Sequence, residues 1–135
     1  MAKYVRLCNE IYVTVSNKIG VLADISRVAE QLSINIEAVA GYATETDEAR
    51  LLVVTFDNAR LIQALKSKGY ILIKEVEVLL IELENKVGSL EDMCSKLAAE
   101  DIDIKHIYGA TCPAGCPAQI VMSTSDNKKA LAVLK

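Results

Sequence analysis

Two kinds of residue cluster in this chain could do chemistry. Cys112 and Cys116 lie in the segment Thr111-Cys112-Pro113-Ala114-Gly115-Cys116-Pro117, where two nearby sulfurs can chelate a soft metal or form a disulfide. Tetrahedral zinc needs about four ligands. His106 is the single histidine and Cys94 sits at a helical core spacing, so one chain does not complete a zinc site; a site shared across a dimer or a Pro/Gly turn with two incidental thiols remains open. The second cluster is Asn17-Lys18-Ile19-Gly20-Val21-Leu22, repeated as Asn85-Lys86-Val87-Gly88-Ser89-Leu90. A glycine lets a ligand approach the backbone. A helix starting just after it offers unpaired N–H groups that suit a carboxylate, and the Asn17 or Asn85 amide oxygen can accept from an ammonium group. Carboxylate and ammonium together describe an amino acid. The competing reading is structural: glycine there for its backbone angle, asparagine as a cap.

An enzyme has little to work with here. There is one histidine, no visible nucleophile–base pair and no phosphate-cradling glycine loop. A net charge of −3 argues against nucleic acid. A sheet that binds single-stranded RNA would need stacking aromatics, and the third strands offer only Phe56. No apolar run approaches the roughly 18 residues of a membrane span, and the start lacks a signal-peptide pattern. A cytoplasmic location, with mostly reduced cysteines, is the expectation. No cofactor is expected.

The elements that hold the turns are legible because the chain repeats itself. Asn17–Gly41 aligns without a gap to Asn85–Gly109, a shift of 68 residues, with Ile34/Ile102, Ile36/Ile104 and Gly41/Gly109 identical. Such a repeat means two copies of one unit, and a seam between units is a common ligand position. Hydrophobic residues make up 52% of the 135, enough for a core, although units of this size are marginal alone. Ile11, Val13 and Val15 alternate as in a strand; Leu22, Ile25, Val28, Ala29 and Leu32 mark a helix face. Strands over about 36–43 and 50–56 follow. A second helix capped at Asp57 or Asn58 and ended by Gly69 comes next, then a fourth strand opening at Tyr70. The order is that of the ferredoxin-like split βαβ. The second unit repeats it, with its helix face on Leu90, Met93, Cys94 and Leu97 and strands over about 102–109 and 119–123. It stops without a fourth strand. Residues 3–8 fall in the missing slot when shifted by 68.

The expectation is therefore α+β: two ferredoxin-like βαββαβ units in tandem, antiparallel sheets with helices on one face. The units span 9–76 and 77–135, and residues 3–8 complete the second. The alternative is a frayed N-terminus and a truncated second unit.

The strand–Asn-Lys-hydrophobic-Gly-x-Leu–helix segment, followed by Ile34-Asn35-Ile36 or Ile102-Asp103-Ile104, resembles the ACT domain, a small regulatory module. The resemblance covers nearly the whole chain as two units in tandem. It implies an amino-acid ligand between paired units, at Asn17, Ile19, Gly20, Val21 and Leu22 and at Asn85, Val87, Gly88, Ser89 and Leu90. From the start of strand two it adds Val39 and Ile107, next to Ala38 and His106. The acidic residue that some ACT proteins place at those strand positions is missing. The resemblance further implies a regulatory protein without chemistry of its own, acting through a homodimer or a separate partner enzyme. The alternative is an interaction module or regulatory subunit that needs no ligand.

Overall fold

The computed structural model describes residues 2–135. In chain order its elements are β1 (Ala2–Ser16), α1 (Val21–Gln31), β2 (Ile36–Ala43), β3 (Glu48–Thr55), α2 (Asn58–Ser67), β4 (Ile73–Leu83), α3 (Ser89–Ala99), β5 (Ile104–Ala110), β6 (Ala118–Thr124) and α4 (Asn127–Leu134). They fall into two compact units: Asn9–Val76, and residues up to Cys8 together with Glu77–Lys135. Strands β1 and β4 are long because each contributes one half to each unit.

In the Asn9–Val76 unit the strand order is β2-β3-β1-β4. β3 runs antiparallel to both neighbours, with Val13 opposite Leu51 and Val39 opposite Val53. Residues two apart on a strand share a face. Ile11, Val13 and Val15 of β1 and Leu51 and Val53 of β3 thus meet Ile25 and Val28 of α1 and Leu61 and Leu65 of α2 in one core. Leu61 and Leu65 are almost fully buried, each contributing on the order of 1.5–3 kcal/mol by burial.

The other unit has the order β1-β4-β6-β5. Leu79, Ile81 and Leu83 of β4 and Ile120 and Met122 of β6 pack on Met93 and Leu97 of α3 and Ala130 and Leu134 of α4. Val5 and Leu7 of β1 pack against this core. The N-terminal half of β1 thus groups with the second repeat, beside β4 in its sheet.

A second repeated motif braces each unit. Thr55-Phe56-Asp57-Asn58 recurs as Thr124-Ser125-Asp126-Asn127. Asp57 and Asp126 cap α2 and α4 by accepting from the Arg60 and Lys129 N–H groups. The Asn58 Oδ1 accepts from the Thr55 N–H (3.2 Å) and hydroxyl (2.7 Å), and its Nδ2 donates to the Asn9 carbonyl (2.9 Å). Asn127 does the same with the Thr124 N–H (2.9 Å) and hydroxyl (2.8 Å), and with the Glu77 carbonyl (2.9 Å).

The helix faces differ from the expected ones at their first position. Leu22 and Leu90 are 44% and 52% exposed. The residues facing the cores are instead Val21, Ile25 and Val28 in α1 and Ser89, Met93 and Leu97 in α3. Each helix starts directly after a left-handed glycine, and its core stripe runs at spacings of three and four from that first residue. The leucines fall one position off the stripe. Strand β4 also begins later than expected, at Ile73, although the Thr14 N–H already donates to the Leu72 carbonyl at 2.9 Å.

Candidate functional site

The strand-to-helix turn of the Asn9–Val76 unit is built around Gly20. Its φ of 91° lies in the left-handed region, and a Cβ built there would meet nothing within 4 Å. Glycine is thus required by the backbone angle and not by crowding. The Val21 N–H donates to the Lys18 carbonyl at 3.3 Å and the Asp24 N–H to the Gly20 carbonyl at 3.0 Å. No side chain caps α1. Its first-turn amides and the positive end of its dipole face no anionic side chain at the cap position.

A cavity of about 610 Å³ opens at this helix start. Ile19, Gly20 and Val21 line it, together with Lys18, Asp24, Glu48 and Tyr70. The Tyr70 hydroxyl donates to Asp24 Oδ2 at 2.9 Å, and Arg27 holds Asp24 Oδ1 at 2.9 Å. Burial, then the bond to Asp24, raises the Tyr70 phenol above its ordinary pKa. Asn17, Leu22 and Val39 do not line this cavity: Asn17 is exposed, with its backbone N–H donating to the Asp47 carbonyl at 2.8 Å, and Val39 is 47% exposed on β2.

In the other unit, Gly88 repeats the turn at φ 92°, again with no side-chain cap on α3. The cavity here is smaller, about 220 Å³. Asn85, Ser89 and Leu90 line it, with Glu84, Lys86 and the root of the β5–β6 connection. Lys86 Nζ stands 3.1 Å from Glu84 Oε2. The Ser89 hydroxyl is buried and makes no hydrogen bond, a state costing about 1–3 kcal/mol. Gly88, Val87 and Ile107 are outside the lining; Val87 is fully exposed and Ile107 is 40% exposed.

The sequence reading missed Glu48 and Tyr70. Both reach the turn from other elements, and the repeat gives no hint of them: shifted by 68, Glu48 falls on Cys116, and Tyr70 on Ala2 through the exchanged strand.

Two further clusters complete the inventory. On the sheet, the Tyr12 and Tyr42 hydroxyls lie 3.5 Å apart, and Lys74 Nζ stands 5.0 Å from the Tyr12 ring centre. Hydrogen bonds to Tyr12 and Arg50 lower the Tyr42 pKa, while burial and Tyr42 raise that of Tyr12. Cys112 and Cys116 form a disulfide, in place of the reduced thiols expected. Their Cα atoms are 5.2 Å apart, within the span that a disulfide bridges. Among the described residues no group of three potential ligands could hold a metal. Burial raises the Cys94 thiol pKa, which leaves it a poor nucleophile.

No protein-family model matches the sequence, and neither does any curated protein. Solved structures do match. The regulatory subunit of aspartate kinase from Thermus thermophilus superposes with a TM-score of 0.69 at 13% identity, covering 99% of this chain and 95% of its own. The shared fold is α+β, with ferredoxin-like units whose helices lie against antiparallel strands. The protein BT0572 of Bacteroides thetaiotaomicron gives a TM-score of 0.86 at 24% identity, over 96% of this chain and 88% of that one. The aspartokinase alpha and beta subunits give 0.68 at 17% identity, over 99% and 96%. Each ferredoxin-like unit here presents its own glycine turn at the start of a helix, with a cavity beside it. Among the described residues no helix is long and apolar enough to cross a membrane.

Proposed function

We propose that this chain is a regulatory protein that binds a small amino acid at the start of α1 and has no chemistry of its own. The cavity of about 610 Å³ at that uncapped helix start carries the reading. A ligand carboxylate is matched by the first-turn amides of α1 and by Lys18. A ligand ammonium is matched by Glu48 and by Asp24, which supply the acidic groups missing from the start of strand two. Ile19, Val21, Ile71 and Leu72 give the wall an apolar part for the ligand side chain. The Ser89 cavity, about 220 Å³, is the second copy and lacks the counterparts of Glu48 and Tyr70. Asn17, Leu22, Val39, Val87 and Ile107 remain contacts only if a ligand reaches beyond these cavities. The solved structures of aspartate kinase regulatory subunits support a partner enzyme in amino-acid metabolism as the recipient of the signal.

A second reading has one observation in its favour. Ile19 and Val87 are fully exposed, and Leu22 and Leu90 about half exposed, at matching places in the two units. Such apolar groups suit docking to a protein partner or a second copy without any ligand. A thermal-shift screen against the twenty amino acids separates the readings. A ligand at about 100 times its Kd stabilises by about 2.7 kcal/mol. Selective stabilisation that Glu48→Gln and Lys18→Ala weaken is the expected result. No shift with any amino acid, in folded protein, overturns the sensor reading.

A further inference from the structure

The β5–β6 connection carries chemistry that the turns do not use. Cys116 is exposed and Cys112 half-buried, and the two are bonded. The Cys116 N–H donates to Cys112 Sγ at 3.1 Å, and the Gly115 N–H to the Cys112 carbonyl at 3.3 Å. The antiparallel ladder runs up to Ala110 opposite Gln119, so the bond closes a loop wholly outside the sheet. Opening it breaks no ladder hydrogen bond and uncovers neither core.

We propose that Cys112 and Cys116 are a thiol–disulfide exchange site, reacting with external thiols when bonded and with an external disulfide when reduced. In the bonded state an external thiolate attacks the exposed Cys116 Sγ. The Cys112–Cys116 bond breaks and its electron pair leaves on Cys112 Sγ, where the Cys116 N–H stabilises the thiolate by a charge-assisted hydrogen bond. A second external thiolate attacks the external sulfur of the mixed disulfide and releases Cys116 as a thiolate. Two external thiols become one external disulfide, and their two protons and two electrons pass to the cysteine pair. The reverse sequence closes the loop. The exposed sulfur takes the mixed disulfide and the shielded one leaves, an asymmetry that follows from access. Thr111, Ala110 and Gly109 form one wall of the Ser89 cavity, so the redox state sets the freedom of that wall. The proposal stands independently of amino-acid binding.

The test equilibrates the full-length protein in buffers of varied reduced and oxidised glutathione, blocks free thiols by alkylation, and counts them by mass spectrometry. The expected result is one two-electron step at Cys112 and Cys116 together. Cys112→Ser should trap glutathione on Cys116 several-fold more than Cys116→Ser traps it on Cys112. Hydrogen exchange should speed up on reduction at residues 110–118 and stay unchanged in the cores. A bond that survives excess reduced glutathione overturns the proposal, as do equal adducts on both variants. Faster exchange across either core on reduction also overturns it, since the bond would then be a structural staple.

Discussion

Replacing Asn58 with alanine should cost far more than its half-exposed position indicates. Its side chain makes three short hydrogen bonds within the unit, to the Thr55 N–H, the Thr55 hydroxyl and the Asn9 carbonyl, at 3.2, 2.7 and 2.9 Å. A further bond goes to Glu75 at 3.2 Å; it and the bond to Asn9 are exposed, while the two to Thr55 are partly buried. Each of the three is worth about 1 kcal/mol net, and Thr55 is only 8% exposed, so water does not replace its partner. The loss should be about 3 kcal/mol. Asn127→Ala should cost the same, because its three bonds to Thr124 and Glu77 repeat the pattern at 2.9, 2.8 and 2.9 Å. Asn58→Asp keeps the acceptor but loses the donor to Asn9 and Glu75 and sets a second carboxylate beside Glu75, so at least about 1–2 kcal/mol should go. Urea unfolding followed by circular dichroism reads these differences. With a slope of about 1–3 kcal/mol per molar, 3 kcal/mol moves the midpoint by about 1–3 M. A midpoint for either alanine variant within error of wild type would refute the idea that this amide ties the end of the third strand to the first.

Two more predictions follow from the turn and from the tyrosines. Gly20→Ala and Gly88→Ala should each destabilise by about 1–3 kcal/mol through backbone strain alone, since a Cβ at either position meets nothing within 4 Å; asparagine should cost less, and an alanine variant as stable as wild type would count against the left-handed turn. In an ultraviolet titration Tyr42 should ionise first, below the ordinary tyrosine range, and Tyr12 and Tyr70 above it. Because the Tyr70 pKa is raised on folding, its bond to Asp24 stabilises fully below about pH 10 and is lost as pH rises through the higher folded value. Tyr70→Phe should therefore lower stability at neutral pH and erase that part of the alkaline loss, and an unchanged alkaline profile would show that folding, by burial and by the bond to Asp24, does not raise the Tyr70 pKa.

Much of the fold is legible because local signals agree with one another. Alternating Ile11, Val13 and Val15, the cap at Asp57 and the repeat of Asn17–Gly41 each point to the same order of elements, and carrying the repeat's spacing back to residues 3–8 proposes the fourth strand that the second copy lacks. The Thr-x-Asp-Asn brace repeats in the sequence too, but its role is not legible there, because it depends on a carbonyl some fifty residues away (Asn9 for Asn58, Glu77 for Asn127). The exposed Leu22 and Leu90 show a finer limit. Periodicity identifies a helix, but the angle at which the helix starts decides which residue of a neighbouring apolar pair turns inward, and that angle is set by one left-handed glycine.

The candidate site was half legible for a related reason. The repeat predicts two equal turns, and the backbone delivers them at φ 91° and 92°. What surrounds the turns comes from positions where the copies have diverged most. Tyr70 has Ala2 as its counterpart and Glu48 has Cys116, so one copy gains a phenol and a carboxylate while the other gains a methyl group and half of a disulfide. A phenol held on Asp24 and a carboxylate at the strand end leave about 610 Å³ beside the first turn, against about 220 Å³ beside the second. Two copies of one motif thus diverge in chemistry through neighbours that the motif does not contain. The acidic first copy suits a zwitterion, and the second is bounded by a loop whose closure depends on two sulfurs.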